Sequence, residues 1–197
     1  LLMSWSTIES EEYKMGKKRQ QTDVRISAPP LQMPNAASTA ENVVDQALEF
    51  CARKLRAEGR EATIARMKQN DHCACEYCYY SIAEQVGAAL GALDENVKAV
   101  YMFEYDATPE DLCFGATKYT PLLHLLVWTQ RKTEALNSLV AMLDRALTQY
   151  FAQLIGPEGL KHLLDVQMID DADVENRISY GALLKSLHNR PLKVWEQ

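Results

Sequence analysis

Two apolar runs flanking an acidic, turn-rich stretch constrain this chain more than any other feature: Val97-Lys98-Ala99-Val100-Tyr101-Met102-Phe103 and Leu122-Leu123-His124-Leu125-Leu126-Val127-Trp128. Neither alternates between apolar and polar residues, as a strand wet on one face does, so both read as buried strands covered on both sides. They are expected side by side at the centre of a sheet. The segment between them, Glu104-Tyr105-Asp106-Ala107-Thr108-Pro109-Glu110-Asp111, holds a proline that a central strand excludes, along with several turn-forming residues. The chemistry of the domain is expected in that loop.

A chain of 197 residues, 47% hydrophobic, can bury one substantial core with appendages. Its formal charge of −6 repels phosphate backbones, so generic nucleic-acid binding is not expected. No apolar run approaches the roughly 20 residues of a membrane helix, and Leu1 to Trp5 do not open a secretory signal. A cytoplasmic location is the expectation. Five cysteines, with Cys73, Cys75 and Cys78 crowded together, fit reduced thiols or a metal better than a disulfide framework.

Residues 1–37 mix Ser, Gln, Lys and Pro with scattered apolar residues and read as a flexible or extended arm. Residues 38–94 read as a helical region packing on the core. Ser38-x-x-Glu41 has the form of a capping box, and Val44, Ala47, Leu48, Cys51 and Leu55 then share one helical face until Gly59. A shorter helix through Ala62 to Met67 follows. From about Cys75 a third helix carries Tyr79, Ile82, Ala83, Val86, Ala89 and Leu90 on one face, with Gly91 and Asp94 closing it. Residues 95–197 read as the α/β core. After the two strands, Thr133 caps a long helix whose stripe runs from Leu136 to Leu154 and which Gly156-Pro157 ends. A helical turn near Leu160 to Leu163 leads to a third strand, Leu164 to Ile169. The acidic run Asp170, Asp171, Asp173 and Glu175 starts another helix, continued by Leu183, Leu184 and Leu187. Leu192 to Trp195 reads as a short strand or an anchor. There is no internal repeat.

This order of elements resembles the polymerase-β-like nucleotidyltransferase superfamily, in particular its small stand-alone members. Val97 to Ala107 is similar to the first core strand of that family, which ends in a Phe-Gly-Ser turn. Pro121-Leu122-Leu123-His124-Leu125-Leu126-Val127 is similar to the second, usually Ser-Asp-x-Asp-Leu-x-Val, and Leu164-Asp165-Val166 to the third, which carries the last family carboxylate. The resemblance covers about residues 95–170. It implies an α+β fold, a mixed β-sheet of about three to five strands with helices packed on it, preceded here by the helical N-terminal region.

The chain departs from the family at the chemistry. Where the Gly-Ser turn admits nucleotide phosphates, Glu104-Tyr105 opposes them by charge and volume; where paired acids hold divalent cations, Leu122 and His124 stand. Of the family's carboxylates only Asp165 remains. Glu104, His124 and Asp165 are therefore the residues of a degenerate site, and the chain reads as a nucleotidyltransferase-like protein that has lost catalysis and serves as an interaction or ligand-sensing module. A protein partner or self-association, for instance as a dimer, goes with that reading. Two alternatives stand beside it. In one, Glu104, Asp106, Glu110 and Asp111 join His124 and Asp165 around a single Mg²⁺ and transfer continues with displaced carboxylates. In the other, His72, Cys73, Cys75 and Cys78 bind Zn²⁺ or iron, completed by Cys51 or Cys113.

Overall fold

A computed structural model describes residues 35–103, 123–156, 159–188 and 190–197. The chain runs α1 (Ala36–Leu55), α2 (Arg60–Lys68), α3 (His72–Leu93), β1 (Val97–Met102), β2 (Leu123–Thr129), α4 (Glu134–Ile155), β3 (Leu164–Ile169), α5 (Asp171–Asn176), a 3-10 helix (Ser179–Lys185) and β4 (Leu192–Glu196). The strands form one mixed sheet in the order β3-β2-β1-β4. β1 lies antiparallel to both β2 and β4, whereas β2 and β3 are parallel. The two apolar runs are thus the two central strands, in the expected α+β class.

Both sheet faces are covered, which is why neither run alternates. On one face Val97 and Val100 of β1, Leu123, Leu125 and Val127 of β2 and Leu164 of β3 join Val44 and Leu48 of α1, Ile82, Val86 and Leu90 of α3, and Leu139, Leu143, Leu147 and Phe151 of α4. Each such side chain taken fully from water contributes about 1.5–3 kcal/mol before the entropy of ordering is subtracted. On the other face Phe103, Leu126 and Ile169 meet Val174 of α5, with Tyr101, Trp128, Tyr180 and Leu184 packed around them. Salt bridges fasten α5 there. Lys98 Nζ donates to both carboxylate oxygens of Asp171 at 2.7 Å, Trp128 Nε1 donates to the same carboxylate at 2.9 Å, and Lys132 Nζ reaches Asp173 at 2.6 Å.

Several local boundaries differ from the sequence reading. The first helix begins at Ala36, not Ser38, because the Asn35 side chain takes the Ser38 amide and acts as N-cap. The third begins at His72, since Asp71, held by Arg66 at 2.7 Å, accepts the Ala74 amide. Gly91 does not close α3 but lies within it, where the Trp195 ring of β4 leaves no space for a Cβ; Gly87, one turn earlier, meets the same side chain. Thr133 and Gly156 cap α4 as expected, the latter in the left-handed region at φ 78°. Leu160 to Leu163 form no helical turn. Asp170 and Asp173 make a reciprocal capping box for α5, but Arg177 and Ser179 at positive φ end the helical pattern early, and Leu187 is 93% exposed. Leu192 to Trp195 lie in β4, an edge strand. No helix among the described residues is long and apolar enough to cross a membrane.

Candidate functional site

His124 and Asp165 occupy equivalent positions at the starts of β2 and β3, where they are paired across the parallel ladder. Their side chains project on the α5 face of the sheet, and His124 Nδ1 stands 3.0 Å from Asp165 Oδ2. A carboxylate can only accept, so the ring donates from Nδ1. The other oxygen, Asp165 Oδ1, takes a hydrogen bond from Gln167 Nε2 at 3.0 Å. Both Asp165 oxygens are therefore engaged by neighbouring side chains, and each partner of the pair is only a quarter to a third exposed. Phe103, just past the end of β1, donates its amide to the His124 carbonyl and sets its ring 5.8 Å from the imidazole and 5.7 Å from Tyr180. The resulting arrangement is an aromatic wall beside a histidine-carboxylate pair. It sits at the sheet end where residues 104–122 connect β1 to β2. Glu104, Asp106, Glu110, Asp111, Cys113 and Leu122 lie outside the described residues.

The cysteine cluster is divided by the helix that carries it. Cys75 and Cys78, on the inner face of α3, are fully buried beside Cys51 of α1, whose thiol donates to the Ala74 carbonyl at 3.3 Å. Burial pushes the Cys51 thiol up to about 11 and the Cys78 thiol well above the ordinary range, with neighbouring thiols adding to the latter shift. Cys73 is exposed, and His72 faces Glu76 at 3.8 Å on the outside. The sequence quartet is not brought together: two members point into the core and two to the surface. Among the described residues no group of three or more His, Cys, Asp and Glu side chains is placed to hold a metal ion.

A second histidine-carboxylate pair escaped the sequence reading. Asp144, nearly buried on α4, accepts at Oδ1 from the amides of Leu163 and Leu164 at 3.0 and 2.9 Å and from Thr148 Oγ1 at 3.2 Å. Its Oδ2 accepts from His162 Nδ1 at 2.7 Å. The available signal was an acid and a threonine, four residues apart, breaking into the leucine stripe of α4. No protein-family profile, characterised protein or solved structure matches this chain.

Proposed function

We propose that this chain is a nucleotidyltransferase-like protein without transferase activity, working in the cytoplasm as an interaction or ligand-sensing module. The observation that carries this reading is the His124–Asp165 pair. Phosphoryl and nucleotidyl transfer need carboxylate oxygens open to a hard divalent cation. Here the one carboxylate that the resemblance assigns to the site is engaged at both oxygens by His124 and Gln167. The lone pairs left on Asp165 would face a cation with an imidazole donor in place of the partner acid. The face built from Phe103, His124, Asp165 and Tyr180, with its aromatic wall and polar pair, is where a protein partner or a second copy would be read. Isothermal calorimetry with ATP and Mg²⁺ tests the proposal. No saturable heat is expected; micromolar, Mg²⁺-dependent binding that Asp165→Asn abolishes would overturn it and favour transfer with displaced carboxylates.

A further inference from the structure

On the opposite face of the sheet, α4 and the edge strand β3 enclose a cleft of about 460 Å³, lined by Val140, Asp144, Arg145, His162, Val166 and Met168 among others. We propose that this cleft binds a small organic anion, a carboxylate or phosphate head held by His162, Lys161 and Arg145 with a short apolar tail laid on Val140, Val166 and Met168. The proposal does not depend on the nucleotidyltransferase resemblance, because it concerns other residues on the other face.

Its chemistry follows from the Asp144–His162 pair. Asp144 anchors the α4–β3 connection with one oxygen, and with the other it fixes the imidazole through Nδ1. The His162 side chain is 64% exposed and lines the cleft. An anion in the cleft favours the imidazolium, the form in which Nδ1 donates to the buried carboxylate and Nε2 can donate to the anion. A histidine oriented from behind by a carboxylate is a preorganised donor for an anion. Among the described residues, the charged groups lining the cleft besides Asp144 are Arg145 on α4 and Lys161 beside the ring, both cationic and both exposed. Among the described residues Asp144 is the one carboxylate in the lining, and its oxygens are taken up by two amides, a hydroxyl and the imidazole. Asn137, Thr148 and Gln149 add neutral polar groups, while half-buried Val166 and Met168 supply an apolar floor that α4 does not cover. The volume falls within the range of roughly 300–1,000 Å³ of small-molecule sites, which combine an apolar lining with a few convergent polar groups.

Amide NMR of the ¹⁵N-labelled chain, titrated with hexanoate, hexyl phosphate and hexanol, tests this. Either anion is expected to give saturable shifts confined to residues 140–149 and 161–168 at about millimolar concentration, with hexanol roughly tenfold weaker for want of a charge-assisted hydrogen bond. The tighter of the two heads identifies the ligand class. Arg145→Gln and Lys161→Gln, both at exposed positions, should each weaken anion binding severalfold without moving the melting temperature. His162→Gln should weaken it further, and should its fold suffer, the two exposed variants carry the test alone. Hexanol binding as well as the anions, shifts scattered beyond the cleft, no saturation, or affinities untouched in the exposed variants would each overturn the proposal.

Discussion

Asp144 shows how a single buried charge can specify a junction. A carboxylate among leucines is tolerated only when its oxygens are satisfied, and here they gather two backbone amides, a threonine and a histidine at the point where α4 hands the chain to β3. Removing it orphans the Leu164 amide and leaves the Leu163 amide with Thr148 Oγ1 alone, at 2.8 Å. Asp144→Ala is expected to lower the unfolding free energy by about 3 kcal/mol, read from urea denaturation; a loss within experimental error of zero would mean that the junction holds without it. The thiols lend themselves to a second test at this scale. Burial keeps Cys51 and Cys78 protonated and shielded, whereas Cys73 is exposed. Cys73→Ser should therefore remove one equivalent of rapid reaction with a disulfide reagent from the native protein, while changing Cys51 to Ser should leave the rapid phase unaltered. The residue-level chemistry was only partly legible in the sequence. His124 and Asp165 stood out because each interrupts an apolar strand, but the cysteines drew attention as ligands when Cys75 and Cys78 serve as small core residues. His162 and Asp144 became a pair only through a turn whose path local pattern does not encode.

Elements with continuous apolar runs or clear stripes were legible: β1, β2, β3 and α4 lie within a residue or two of their expected bounds. The starts of α1 and α3 were not, because Asn35, Ser38 and Asp71 are all competent caps and only the bonds actually made decide among them. Gly91 reads as a stop from sequence yet serves as a socket. Its missing side chain lets the Trp195 indole lie against α3, and this contact docks the edge strand β4. Helix propensity alone favours Gly91→Ala by about 1 kcal/mol, whereas the enforced clash with Trp195 costs on the order of 1–3 kcal/mol. Net destabilisation in a thermal melt is the expected result, relieved when Trp195→Leu is added. A stabilised single variant would show that Trp195 does not occupy that socket in solution.

Across the molecule, ion pairs tie helices to their neighbours, and their response to acid can be signed. Asp71, Asp171 and Asp173 are each held below the ordinary carboxylate range, first by hydrogen bonds from Arg66, Lys98 and Lys132 respectively. A carboxyl more acidic in the folded than in the unfolded chain stabilises the fold above its unfolded value of about 4. That contribution is lost as the pH falls through the lower folded values. Melting temperature should thus vary little on this account between about pH 7 and 5 and decline below about 4, less steeply in Asp171→Asn; a variant with the full wild-type acid slope would exclude Asp171 as a contributor. At this scale the α+β class and the central pair of strands were readable, because continuous apolar runs require cover on both faces. The parallel pairing of β3 and the return of β4 to the far edge were not, since they depend on how α4 and α5 pack rather than on any local pattern. That parallel pairing is what sets His124 beside Asp165, and the account rests on this contact being structural rather than catalytic. Residues retained for catalysis commonly cost stability, so their removal tends to stabilise, whereas a carboxylate that anchors two strands stabilises by its presence. The direct measurement is the unfolding free energy of Asp165→Asn against the parent chain. A loss of about 1 kcal/mol, largely absent when His124 is already replaced by Gln, is predicted; a gain in stability accompanied by loss of Mg²⁺-nucleotide binding would contradict the account.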